Sequence, residues 1–139
     1  MIYPANFEQK IGFDRLREQV TALCSMQAAR DIIAAEQFST SRPEIERRQD
    51  IADEMRTLLM LDPDAPRDEF PDMEAVIAKI GVEGAFLTTE EVAVLRRALT
   101  AVGNMVGFVM NRSEEQYPRL RKRSERVCIF PDVVRRINQ

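Results

Sequence analysis

Apolar residues recur along this chain at intervals of three and four, the repeat of one helix face, and proline, glycine and acidic runs break the pattern. The first marked segment is a short turn over Phe7–Ile11, with Asn6 and Gln9 spaced as a capping box and Gly12 ending it. Asp14 stands where it can cap a second helix to about Cys24, with Leu16, Val20, Leu23 and Cys24 on one side. Ser25 stands likewise before a third, whose Met26, Ala29, Ile32 and Ile33 should face inward. The clearest amphipathic segment begins at Ser41, with Pro43 in the first turn, where its missing N–H costs nothing. Ile45, Ala52, Met55, Leu58 and Leu59 share one side of it, with Glu46, Arg47, Asp50, Asp53 and Glu54 largely opposite, as far as about Met60. Pro63, Pro66 and Pro71 then forbid a regular helix between Leu61 and Pro71.

A short helix is expected from Asp72 to about Ile80, with Met73, Val76, Ile77 and Ile80 inward, and Gly81 and Gly84 frame the connection after it. Thr88 and Glu91 form a second capping box, which opens a long helix to about Met110. Its stripe is Val92, Leu95, Leu99, Val102, Val106 and Val109, expected to be buried against the helix that carries Ile45, Met55 and Leu59. Gly103 and Gly107 lie inside this helix at about 1 kcal/mol each against alanine, and a closely packed neighbouring helix is the expected compensation. Beyond it, Tyr117-Pro118 starts or kinks a helical piece, Phe130-Pro131-Asp132 breaks the chain, and Val133, Val134 and Ile137 make a final amphipathic turn or two. No period-two alternation of any length is present, and Val127–Phe130 is too short to argue for a sheet. The fold class is all-α, a multi-helix bundle forming one domain over residues 1–139.

Composition narrows the chemistry. The chain has 139 residues, 45% hydrophobic and 31% charged, with a formal net charge of -3, so it is too apolar for intrinsic disorder and is not polybasic as a whole. It contains no histidine, which excludes Ser-His and Cys-His nucleophile pairs and every histidine-based metal site. Cys24 and Cys128 lack C-x-x-C spacing and read as buried or half-buried thiols in a reducing compartment. The acids around the prolines, from Asp62 to Glu74, include no glycine that a calcium loop would need and read as a solvated loop. No phosphate-cradling G-x-x-x-x-G-K-[ST] occurs. No catalytic residue, metal ligand or cofactor-binding residue is therefore assigned. The start carries no secretory leader, and the longest uncharged run, the 14 residues of Ala98–Asn111, is shorter than the roughly 20 a membrane span needs. A soluble, cytoplasmic protein without a membrane partner is expected.

One asymmetry remains. Asn111–Gln139 holds eight Lys/Arg and four Asp/Glu, a balance of +4, which leaves -7 for the rest. Arg119, Lys122, Arg123 and Arg126 follow a three-to-four spacing and can share one face, whereas Arg121 points elsewhere. Such a face suits a nucleic-acid backbone or a partner protein; no aromatic is interleaved for base stacking. The opposing reading is a solvated face neutralised by Glu114, Glu115 and Glu125.

The opening Ile2-Tyr3-Pro4-Ala5-Asn6-Phe7-Glu8-Gln9-Lys10-Ile11-Gly12-Phe13-Asp14-Arg15-Leu16-Arg17 resembles the start of MutS-type proteins of the second kind, the paralogues that lack the mismatch-recognition domain. Glu54-Met55-Arg56, Gly84-Ala85-Phe86-Leu87-Thr88-Thr89-Glu90-Glu91, and Phe130-Pro131-Asp132 followed by Arg136-Ile137-Asn138 resemble later steps of that family in order. The resemblance implies the N-terminal part of the core and lever region, as an excised fragment of a larger protein. Full-length relatives are dimeric ATPases using ATP and Mg, with a clamp on two lever helices and usually a C-terminal Smr nuclease. They act on branched DNA in recombination control and repair, or in some bacteria split collided ribosomes. The ATP site, clamp and nuclease would all lie beyond Gln139, so these residues would be a non-catalytic segment whose first partner is the remainder of their own chain. A free-standing helical protein–protein interaction domain is the alternative. A core cut at this point should leave some of Val127, Ile129, Phe130, Val133, Val134 and Ile137 exposed, or covered by a neighbouring copy.

Overall fold

A computed structural model describes residues 4–139, so Ile2 and Tyr3 of the opening motif lie outside the described residues. Among the described residues there are eight helices and no strand: α1 (Phe7–Ile11), α2 (Phe13–Ala22), α3 (Gln27–Ala35), α4 (Arg42–Leu61), α5 (Glu74–Ile80), α6 (Thr89–Met110), α7 (Pro118–Ser124) and α8 (Pro131–Ile137). The all-α expectation holds.

The capping box at Thr88 and Glu91 forms as the spacing predicts: the Glu91 N–H donates to the Thr88 hydroxyl, and the Glu91 carboxylate accepts from the Thr88 N–H at 2.7 Å. The caps proposed at Asn6, Asp14 and Ser25 do not form. Asn6 makes no side-chain cap bond, α2 is opened by Gly12, and α3 by Met26. The Ser25 hydroxyl instead donates to the Phe70 carbonyl at 2.9 Å, and Asp72 accepts from the Gln27 N–H, so a distant loop supplies what the local residue does not. Gly12 has φ +73°, a left-handed conformation costly for any side chain, and it lets α1 turn directly into α2.

Two small cores stand behind the architecture. In one, Leu58 of α4, Ala65, Val109 of α6, Tyr117 and Leu120 of α7 are buried together, with Ile51, Met55, Met105 and Phe108 against them. In the other, Met73, Val76 of α5 and Ala98 of α6 are buried beside Leu87, Val94 and Leu95. The long helix is thus the shared wall of both clusters, and it also packs α8. Its burial line is shifted from the expected stripe. Ala98, Ala101 and Val109 are the buried positions, while Val92, Leu95, Leu99, Val102 and Val106 are half-buried. Two of the three buried positions are alanines, whose small side chains allow a crossing segment to come close. The contact with α4 likewise runs through Leu58 rather than Leu59, which is exposed, and Ile45 lies outside the cluster.

Other inward assignments fail for lack of cover. Leu16, Val20, Leu23 and Ile32 on the first helices, and Ile77 and Ile80 on α5, are exposed. A β-carbon added at Gly103 or Gly107 would meet nothing within 4 Å, so no helix packs closely there and the expected compensation is absent. Cys24 is half-buried, but Cys128 is exposed. By length and composition alone α6 is long and apolar enough to cross a membrane, which the uncharged run had understated; here it packs against α7 and α8.

Candidate functional site

Sequence spacing directs attention to α7, and the fold explains how α7 is held. Pro118 opens the helix, where its missing N–H is harmless, but Tyr117 offers no side-chain cap. Glu54 of α4 takes that place: its carboxylate accepts from the N–H groups of Arg119 and Leu120, each at 2.9 Å at closest. A carboxylate there meets the free donors and the positive end of the helix together. Burial of Tyr117 and Leu120 beside Leu58 and Val109 fixes the orientation.

The four predicted cations do not share one fate. Arg119 is drawn onto α4, where its guanidinium pairs with Asp50 at 2.5 Å and Glu54 at 3.4 Å. Arg121 points elsewhere, as its spacing predicts. It donates to the carbonyls of Met110 and Arg112 at the end of α6, with Glu114 and Glu125 at 3.7 and 3.8 Å. Two of the three acids proposed as neutralisers, Glu114 and Glu125, therefore serve Arg121. Lys122, Arg123 and Arg126 make no ion pair among the described residues. Arg126 lies past the end of α7, yet a turn bond from its N–H to the Arg123 carbonyl keeps it on the same side.

These side chains line an open groove of about 670 Å³ between α4 and α7, together with Arg47, Ile51 and Val127. Arg47 is the member that sequence spacing missed. It sits on the polar side of α4, and only the docking of α7 brings it opposite Lys122 and Arg123. The groove continues into an apolar slot, and Ile51, Arg123 and Val127 line both.

Ion pairs also brace the fold outside the groove. Arg112 grips Asp62 through two bonds of 2.9 and 3.0 Å and lies over the Phe108 ring, which ties the end of α6 to the end of α4. That guanidinium holds the Asp62 carboxyl below its ordinary value, and Asp62 in turn raises Arg112. Lys79 does the same to Glu91, helped by the Thr88 N–H, and clamps α5 to the start of α6. Glu44 is lowered by the Ser39 hydroxyl and then by Arg48, whose guanidinium is raised by Glu44 and by Glu36. The acidic loop is thus more than a solvated run: Asp62 binds Arg112, Asp68 accepts from Asn104, and Asp72 accepts from the start of α3. Among the described residues no three His, Cys, Asp or Glu side chains gather where a metal ion could be held.

At the C-terminal end Val127, Ile129, Phe130 and Val133 are exposed, while Val134 and Ile137 are half-buried.

No family model matches the chain, and no solved structure matches it. Among curated proteins it is 30% identical, over 129 residues, to the endonuclease MutS2 of Pelotomaculum thermopropionicum. The chain is similar to a MutS2 protein. The match covers 93% of this chain and 16% of the relative, so the chain spans about one sixth of the length of that protein. This likeness suggests a relationship to the MutS family.

Proposed function

We propose that these residues form a non-catalytic helical segment of a MutS-like, DNA-handling ATPase, the first part of the body that joins lever and clamp to the ATPase. The observation that carries this reading is the likeness to MutS2 across 93% of the chain. The packing is of a kind that serves such a role. Helices α4, α6 and α7 share one buried cluster and are cross-braced by Arg112–Asp62 and by Glu54 on α7. Packed helices transmit a rotation only when they do not slide, and braces at both ends of a contact oppose sliding. ATP and Mg would be bound, and any nuclease reaction carried out, by other parts of the longer polypeptide. That polypeptide would act as a homodimer on branched DNA in recombination control; a ribosome-directed member of the same family is the nearest variant. The second reading, a free-standing interaction domain, draws on exposed apolar side chains such as Leu23, Phe86 and Phe130.

The test compares the 139-residue chain with a longer polypeptide that carries it. The longer protein should hydrolyse ATP and shift branched DNA in a gel, and the chain alone should turn over neither ATP nor DNA. Steady, contaminant-free turnover by the chain alone would overturn the non-catalytic assignment. A longer protein with no ATPase would favour the interaction domain.

A further inference from the structure

We propose that the groove between α4 and α7 is a seat for the phosphate backbone of duplex nucleic acid, gripped by Arg47, Lys122, Arg123 and Arg126, with Arg119 serving as a strut instead of a contact. The groove is lined by five cations and two aliphatic side chains, and no carboxylate joins them. Arg17, Arg48, Lys79, Arg112 and Arg121 each bind a carboxylate or a carbonyl of another segment, while Lys10, Arg15, Arg97 and Arg136 make no side-chain bond among the described residues and lie outside the groove. In the groove four such cations gather: the side chains of Arg47, Lys122, Arg123 and Arg126 donate to no group among the described residues. Arg119 is met by Asp50 and Glu54, and Arg47 lies in the field of Glu44, but Lys122, Arg123 and Arg126 pair with no carboxylate among the described residues, and a polyanion would relieve their mutual repulsion.

The chemistry of the lining selects among anions. Guanidinium groups dominate, and these suit phosphate oxygens because they offer two donors at once. The groove has no aromatic ring to stack a base and no glycine loop to wrap a single nucleotide, so it fits a continuous backbone rather than a mononucleotide. Its two walls come from different helices, and cations on both sides of an open channel can bracket a strand. The choice of nucleic acid over an acidic protein segment rests on the MutS-like reading above. The choice of residues rests on the groove alone.

The geometry separates Arg119 from the rest. Its guanidinium is held by Asp50 and Glu54, so releasing it to a phosphate would give up one of the contacts that hold α7, which Glu54 and the burial of Tyr117 and Leu120 also secure. The four remaining cations would release about 3 to 4 counterions from duplex DNA, which corresponds to a loss of about 100-fold in affinity between about 50 and 200 mM salt.

The experiment is fluorescence anisotropy of the 139-residue chain with a labelled duplex of about 20 base pairs and arbitrary sequence, across that salt range. The wild type should bind with a slope of log affinity against log salt of about -3 to -4. The combined R47A/K122A/R123A/R126A variant should lose at least about 10-fold in affinity at the low-salt end and most of its slope. R119A should keep the wild-type slope even if its melting temperature falls. Because the four side chains make no bond among the described residues, circular dichroism should show the combined variant folded, and R47K/R123K/R126K should restore most of the slope. A wild type that does not bind, or a combined variant with unchanged affinity and slope, would overturn the proposal. So would polyglutamate that displaces the duplex at equal charge concentration and binds with the same dependence on the four cations, since the groove would then belong to an acidic protein. None of these outcomes touches ATP turnover by the longer polypeptide, on which the MutS-like reading is judged separately.

Discussion

Helices α1, α2 and α3 contain no buried residue, whereas α4, α6 and α7 meet around Leu58, Val109 and Leu120. Both regions carry regular apolar stripes, and the difference lies in what covers them. The N-terminal region is held at its edges. Phe38 stacks near Phe7 and Phe13 at 5.8 and 5.1 Å, and Arg17 bonds Glu8 and the Glu36 carbonyl. Leu16, Leu23 and Ile32 remain in the open. The second region closes because three helices and a loop converge from separate stretches of sequence. A stripe sets which way a helix would face, and whether that face is covered depends on elements far away along the chain.

The largest test of this contrast is a pair of truncations. Leu58→Ala should destabilise the chain by about 3 to 4 kcal/mol in chemical denaturation, because the side chain is wholly enclosed. Leu23→Ala, at 87% exposure, should change stability by less than about 0.5 kcal/mol. Equal losses at the two positions would mean that the N-terminal face is covered in solution.

The brace on α7 comes next. Glu54→Ala should cost about 2 kcal/mol, since it strips the cap from two N–H groups and removes one partner of Arg119. The loss should be smaller when Arg119 is already alanine, which a double-mutant cycle in urea would show.

A gain is expected on α6. Gly103→Ala and Gly107→Ala should each stabilise by about 0.5 to 1 kcal/mol, because both sites are helical and open to an added β-carbon. Destabilisation at either position would reveal a close neighbour, most simply a second copy or another domain.

The smallest effect is on pH dependence. Asp62 and Glu91 have carboxyls held below their ordinary 3.8 and 4.5 by Arg112 and Lys79. The stability they contribute is complete above those ordinary values and is lost as pH falls through the lower folded values. Melting temperature should therefore drop on acidification from about pH 5, and Asp62→Asn should flatten that drop. An unchanged acid limb in the variant would remove this ion pair from the account of stability.

Much of the helix layout was legible because it depends on neighbours. The Thr88–Glu91 box, the end of α6 at Met110, the helix at Pro118, the break at Phe130-Pro131 and Gly12 as a stop all follow from local dihedral and hydrogen-bond requirements, although Pro131 itself opens α8. The errors are of another kind. Asn6, Asp14 and Ser25 have the right chemistry for caps, but Ser25 finds the carbonyl of Phe70 instead, and α7 is capped by Glu54, 65 residues before Arg119. The basic face shows the same division. Spacing brought Lys122, Arg123 and Arg126 to one side and turned Arg121 away, but it had no means to assign Arg119 to Asp50 or to bring Arg47 across from α4.

The sequence by itself thus determined the all-α class, most helix boundaries and the excess of positive charge near the C-terminus, since each is encoded within a few residues of where it acts. Which stripe is buried, which helix end is capped from afar, and which cations remain free were decided only by the tertiary structure. Those outcomes depend on pairings across 50 or more residues, such as Asp62 with Arg112, and on competition for the same carboxylate among groups that only folding brings together.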